Sequence, residues 1–215
     1  SLVAFLLTMT NAWKVGWDSP LVAGGMILAA AMMAAFIIWE LKTSDPMIDV
    51  RLFNNRVFTL AIGARFVSFL GGSSVYFLMP FYLIQGMQFS PSKAALIMVP
   101  TSISMALLGP VTGRLSDRFG TRWPATFGMI LSTLAMFMFS RLSADTPAYQ
   151  IVIAMMISGI GMASFGSPNS SAIMGTIPRQ KYGIVTALVN LSRTSANVTG
   201  VALATTVVTL TMGSV

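Results

Sequence analysis

The chain has no cysteine and no histidine among its 215 residues, and charged residues make up only 9% of it. Each shortage excludes something. Without cysteine there are no disulfides and no thiolate nucleophiles, and the redox compartment leaves no mark. Without histidine there is no imidazole base, and the two absences together remove nearly all zinc chemistry. No metal site is therefore read from the sequence. A soluble domain carries about 25% charged residues because its surface faces water. A chain with 9% charged and 55% hydrophobic residues cannot dress such a surface, so lipid must be its solvent over most of its length. The 17 methionines and 14 phenylalanines read as packing and lipid-facing volume in preference to a Met-rich binding site.

What is present is a series of long apolar runs. A helix needs about 20 apolar residues to cross the hydrocarbon core, and six segments qualify: Pro20–Trp39, Val57–Gln85, Lys93–Thr112, Trp123–Arg141, Tyr149–Thr176 and Tyr182–Thr211. They are too long for strands and lack period-2 alternation. The expectation is an all-α integral membrane protein of about six full transmembrane helices. Ser1–Thr10 is also apolar, without a basic leader or cleavage site, which is not a signal-peptide pattern. It reads as the end of one further helix, and the chain as a fragment whose partners are the lipid bilayer and the missing N-terminal helices of the same protein. The connections are short and polar, Gly113–Arg122 among them, and none is long enough to fold as a domain. Residues 1–56 then hold a helix end, one linker helix and a connection, and residues 57–215 the main bundle. Function must lie inside that bundle or at its two faces.

The net charge of +7 would suggest nucleic acid only if the basic residues shared one water-exposed face. Instead they sit between apolar runs, and alternate connections divide them unequally. Lys42, Arg51, Arg56, Arg114, Arg118, Arg122, Arg179 and Lys181 fall on one side, against Lys14, Lys93 and Arg141 on the other. The richer side is expected to be cytoplasmic. Trp39, Trp123, Tyr149 and Tyr182 stand at span ends, where amphipathic rings favour the interface. No nucleic-acid partner is needed to account for the charge.

Two charges stand inside spans, Arg193 and Arg65. A charge deep in a bilayer costs a few kcal/mol, roughly 2.5–3.5 on insertion scales, and should face a cavity or a partner. Asn190, Arg193, Thr194 and Asn197 recur at helical spacings of three and four and share a face. Arg193 either lines or gates a cavity or is tied structurally to a neighbouring helix. Arg65 is about eight residues into its span, so it either snorkels to the cytoplasmic surface or lines an inward-facing cavity. Gly71–Ser74 and Pro80 on the same helix permit bending. Tyr149–Thr176 is rich in glycine and serine, which suits either tight packing or a pathway wall. The acids are Asp18, Glu40, Asp45, Asp49, Asp117 and Asp145, all in connections or at span ends, so no proton carrier stands at mid-membrane.

The most specific stretch is Gly113–Arg122, in which Asp117 is a lone carboxylate among three arginines. Gly113 lets helix ends approach and Gly120 permits a left-handed turn. This run resembles the signature of the major facilitator superfamily, G-x-L-x-D-R-x-G-x-[RK], at Gly113, Leu115, Asp117, Arg118, Gly120 and Arg122, with Thr121 departing from the basic residue often found there. A second stretch is similar to the segment before the ninth span of the 14-helix drug:proton antiporters, with Pro46, Asp49, Arg51, Leu52, Phe53, Asn55, Arg56 and Phe58 in matching places. The resemblance implies a C-terminal bundle of that superfamily, with the last helix missing, in a multi-pass protein of the plasma or inner membrane. It implies efflux of a small lipophilic or cationic substrate by alternating access, with a proton gradient as the energy source and no cofactor. Gly113, Asp117, Arg118, Gly120 and Arg122 would form a conformational latch, and Trp123–Arg141 would face lipid. A facilitator of a metabolite, peptide or siderophore, and a non-transporting scaffold or inactive half-protein, are the alternatives. A membrane enzyme would need a nucleophile, an acid pair or a metal site, and none appears.

Overall fold

A computed structural model describes residue 8, residues 19–42 and residues 50–212 of the chain. Ser1–Leu7, Lys14, Asp18, Asp45 and Asp49 lie outside the described residues, as does most of the connection before Val50. Among the described residues six long helices follow one another: α1 Pro20–Lys42, α2 Arg56–Phe81, α3 Pro91–Phe119, α4 Arg122–Ser140, α5 Ala148–Met174 and α6 Tyr182–Met212. There is no strand among the described residues. The apolar runs dictate this outcome, because backbone polar groups in lipid must be satisfied within the segment. Among the described residues four stretches are long and apolar enough to cross a membrane outright: Arg56–Gly86, α3, α4 and α5. In α1 the apolar stretch is the shorter Pro20–Ala35. The last helix, α6, has the length, 31 residues, with Asn190, Arg193 and Asn197 in its interior.

Two compact units emerge from the contacts. One comprises residues 1–74 and 176–215, the other residues 75–175.

The second unit is built around α5. This helix packs against both α3 and α4, which barely touch each other. Glycines make the close approaches. A Cβ at Gly128 of α4 would fall 2.5 Å from the backbone N of Phe165 and 2.7 Å from the carbonyl of Gly161. A Cβ at Gly159 would fall 2.5 Å from the carbonyl of Thr101 on α3. Hydroxyls then tie the helices. Thr101 donates to the carbonyl of Met155 at 3.1 Å, and Thr112 to that of Ala163 at 3.0 Å. Of the two readings of the glycine- and serine-rich segment, tight packing is the one realised within this unit.

The apolar core of this unit gathers Met79, Leu83, Ala94, Ile97, Ile151 and Met155. Above it a π turn, Tyr82–Gly86, follows Pro80, whose missing N–H loosens the ladder. Tyr82 donates from its hydroxyl to the carbonyl of Ser143 at 2.7 Å. The outer face of α4 inverts ordinary amphipathy. Trp123, Phe127, Ile130, Leu134 and Phe137 are exposed at spacings of four and three, while Pro124, Gly128 and Ala135 face inward. Large apolar outside and small inside suits a helix bathed in lipid.

In the first unit α2 and α6 cross at Gly200. A Cβ there would collide with the Ser73 hydroxyl and lie 2.5 Å from the carbonyl of Leu70. Ser74 donates to the carbonyls of Leu70 at 2.9 Å and Gly200 at 3.0 Å, pinning the crossing.

Candidate functional site

The α2–α6 pair carries the only two charges in the interior of these helices' sequences. On α2, Arg65 and Phe69 are one turn apart, so their side chains meet. The Arg65 guanidinium carbon lies 5.3 Å from the centre of the Phe69 ring. From α6, the Arg193 guanidinium carbon lies 5.9 Å from the centre of the same ring. Two cations thus converge on one aromatic ring, each within the range where its quadrupole attracts.

Depth makes this arrangement unusual. Arg65 is nine residues along α2 from Arg56, about 14 Å at 1.5 Å per residue. Arg193 is eleven residues along α6 from Tyr182, about 16 Å by the same rise. The stretch Arg56–Gly86 and α6 each run 31 residues, about 46 Å by the same rise, so both arginines stand well inside their helices. The contacts at Phe69–Arg193 and at Leu70 and Ser74 with Gly200 advance together along both helices, so α2 and α6 run parallel. Both arginines therefore arrive at the same level.

Burial separates the two. Arg65 is only 8% exposed, so its head group does not run out to the aqueous surface. The snorkelling expectation fails because Phe69, one turn further into the membrane, and α6 offer the guanidinium a nearer resting place. Arg193 is exposed, Asn190 is exposed and Asn197 is half-buried on the same face. Thr194 turns its hydroxyl back to the carbonyl of Asn190 at 3.0 Å and leaves the face to the other three. Phe69 is absent from the residues to which charge and polarity point. Its place four residues after Arg65 is the signal that could have found it.

The signature stretch belongs to the other unit and is mostly helix. α3 continues through Phe119, so Gly113–Phe119 are its last two turns and only Gly120 and Thr121 form the turn. The expected loop is helical because charged residues beyond the membrane edge can still propagate a helix. Gly120 has φ +84°, a left-handed value that favours glycine. A Cβ at Gly113 would stand 3.1 Å from the Ser167 hydroxyl on α5, so that position is a close approach as expected. Asp117, Arg118 and Arg122 are exposed, and Arg118 lies 5.3 Å from the Phe119 ring centre. Asp117 sits in the last turn of α3, the end of a helix that disfavours a carboxylate. Among the described residues it makes no ion pair. Ser116 beside it is 3% exposed, with its hydroxyl unpaired. A cleft of about 560 Å³ opens beside this turn, lined by Leu108, Leu115, Phe119, Trp123, Phe127 and Ile160 among others.

These features have counterparts among known proteins. Over residues 2–201 the chain matches the family model described as Major Facilitator Superfamily. It is 29% identical over 212 residues to the uncharacterized MFS-type transporter YhcA of Bacillus subtilis, covering 97% of this chain and 40% of that protein. It is 33% identical over 157 residues to the riboflavin transporter RibZ of Clostridioides difficile, covering 73% and 34% of the two. It is 27% identical over 202 residues to the lincomycin resistance protein LmrB of Listeria monocytogenes, covering 94% and 43%. The chain thus spans between about a third and two fifths of the length of these curated relatives. A signature turn capping paired membrane helices, and a match along nearly the whole sequence, lead to one assignment: the chain belongs to the major facilitator superfamily.

Proposed function

We propose that these helices form part of a proton-driven secondary transporter of the cell's plasma or inner membrane, one that exports lipophilic or cationic compounds by alternating access and catalyses no covalent reaction. The observation that carries the reading is the polar face of α6 at mid-depth. Arg193, Asn190 and Asn197 cannot rest against lipid tails, so a water-filled path must reach them. Relatives named for resistance, such as the lincomycin resistance protein, favour export. In this reading Asp117, Arg118 and Arg122 latch the cytoplasmic ends of helices, and Gly113 and Gly120 shape the latch. Arg65, Arg193, Asn190 and Asn197 line or gate the cavity. The acid that carries the proton belongs to helices outside this chain.

A second reading, transport of a metabolite, is favoured by the 33% identity to a riboflavin transporter. One experiment tests both. The full-length protein is placed in proteoliposomes, a pH gradient is imposed, and movement of ethidium and of riboflavin is followed. Gradient-dependent movement of ethidium supports export of cationic compounds, and movement of riboflavin alone supports the metabolite reading. If neither moves, nor any member of a wider panel of amphipathic compounds, the scaffold alternative prevails.

A further inference from the structure

The cleft beside the signature turn runs along the membrane normal. From α3, Leu108 and Phe119 line it eleven residues apart, about 16 Å at 1.5 Å per residue. That is the depth of one leaflet, half of a hydrocarbon core of about 30 Å. Its walls are large side chains, with Leu115, Trp123, Phe127 and Ile160 among them. Trp123 and Phe127 also begin the exposed apolar stripe on the outer face of α4, so the cleft is continuous with the surface that suits lipid. Close helix contacts in membranes are made by small residues, as at Gly128 and Gly159 of this same unit. Walls of leucine and aromatic rings fit a flexible acyl chain better than a further helix. Such a chain would fill the gap between α3 and α4, which make few contacts with each other.

The water end of the cleft is positively charged. The Arg118 guanidinium carbon lies 5.3 Å from the centre of the Phe119 ring, and Phe119 lines the cleft, so this charge stands at its mouth. Arg122 opens α4 directly before Trp123, and its N-cap, Thr121, makes no side-chain cap. The first N–H groups of α4 therefore add positive partial charge beside Arg122. Asp117 is the one carboxylate of this turn. At 100° per residue it stands about 200° around α3 from Leu115, on the side away from the cleft. We propose that this cleft seats an acyl chain of an anionic phospholipid from the arginine-rich leaflet, with the lipid phosphate held by Arg118 and Arg122. Arginine matches phosphate oxygens in two-point fashion. The count of basic residues makes that leaflet the cytoplasmic one, whose anionic lipids attract basic side chains at its surface. The proposal needs the membrane setting of the family but neither export nor proton coupling.

The test uses full-length protein in detergent and one photoreactive lipid in two forms. A phosphatidylglycerol and a phosphatidylcholine carry the same diazirine halfway along one acyl chain and differ in net charge. After irradiation, labelled residues are located by mass spectrometry. The phosphatidylglycerol is expected to label Leu108, Phe127 and Ile160 about tenfold more than the phosphatidylcholine, on the scale of basic groups meeting an anionic lipid. Arg118→Gln combined with Arg122→Gln should bring that ratio close to one. Leu115→Trp fills the cleft and should remove labelling at Leu108 and Ile160 by both lipids, leaving Ile130 and Phe137 on the outer stripe labelled. All three substituted side chains are exposed, so the packing stays intact. Equal labelling of the cleft by the two lipids in the wild type, or a ratio that survives the double glutamine variant, would overturn the proposal. Labelling confined to the outer stripe would mean that another helix of the protein fills the cleft, and would overturn it as well. Charge-dependent labelling by a protein that moves no solute in proteoliposomes would leave the lipid site standing and remove the transport reading instead.

Discussion

The α3–α4–α5 trio and the α2–α6 pair solve the same problem, holding helices together in lipid, in different ways. In the trio, glycine lets backbones touch, and hydroxyls bridge to carbonyls across the contact, as Thr101 does to Met155 and Thr112 to Ala163. The buried side chains are apolar or carry hydroxyls, with one amide, Asn169, and no charge is buried there among the described residues. The pair uses the same device once, at Gly200 and Ser74. Near that crossing it places two arginines and a strip of amides, which cost free energy wherever they meet lipid. The lesson is a division of labour. The trio buries hydroxyls and one amide, Asn169, but no charge, whereas the pair keeps two guanidinium groups inside its helices.

The sharpest way to break this comparison is to overfill the trio. Gly128→Leu adds a side chain where a single Cβ already meets the Phe165 backbone at 2.5 Å. Backbone on both sides cannot yield, so the loss should exceed about 3 kcal/mol and abolish a monodisperse peak on size-exclusion chromatography. Gly109→Ala is the matched control, since nothing stands within 4 Å of its Cβ. It should be neutral or stabilising by about 0.5–1 kcal/mol, the ordinary gain of alanine over glycine in a helix. A folded Gly128→Leu protein would show that α4 is not clamped to α5.

A large effect on transport without one on folding is expected at the signature turn. Asp117→Asn removes a charge that makes no ion pair among the described residues and lies exposed in the last turn of α3. The melting temperature should hold or rise slightly, because a carboxylate at that helix end is unfavourable. Transport by the full-length protein should fall by an order of magnitude or more, about 1.4 kcal/mol per factor of ten. Unchanged transport would remove the latch.

How far the sequence reveals these two regions depends on what kind of signal each one uses. Helix positions are legible because apolar runs of spanning length have one physical outcome in lipid. The six expected segments each match a helix within a few residues, apart from the extension of α3. That extension is hidden because Gly113–Phe119 are polar enough to read as a connection, although helical propensity persists past the membrane edge. The role of α5 is legible only as a choice. Glycine and serine serve packing and pathway alike, and the decision lies with Thr101 and Gly128 on other helices. Arg65 is left open by the sequence for a related reason. Counting residues from the span end gives its depth, but its resting place depends on Phe69 and on Arg193, more than a hundred residues away.

A smaller effect sharpens the account of the pair. Gly200→Ala introduces one Cβ against the Leu70 carbonyl at 2.5 Å and against the Ser73 hydroxyl. The hydroxyl can rotate away and the carbonyl cannot. A cost of about 1–3 kcal/mol is expected, below that of Gly128→Leu. Measured by thermal melting, the two should keep that order. Reversal would mean that the α2–α6 crossing is the tighter of the two.

The smallest expected effect compares the hydroxyl bridges directly. Ser74 links α2 to the Gly200 carbonyl at 3.0 Å, and Thr112 links α3 to the Ala163 carbonyl at 3.0 Å. Interhelical hydrogen bonds in membranes average about 0.6 kcal/mol, because the separated helices find other partners. Each hydroxyl also bonds a carbonyl of its own helix, Leu70 for Ser74 and Leu108 for Thr112. Ser74→Ala and Thr112→Ala should therefore each cost about 0.6 kcal/mol, a small fall in melting temperature. Their consequences should diverge in function. The trio holds neither arginine, whereas a looser α2–α6 crossing alters the spacing of Arg65 and Arg193 around Phe69. Ser74→Ala should thus weaken transport by the full-length protein more than Thr112→Ala does at equal loss of stability. If the two variants weaken it alike, the bridge at Gly200 does not set the geometry of the arginine pair.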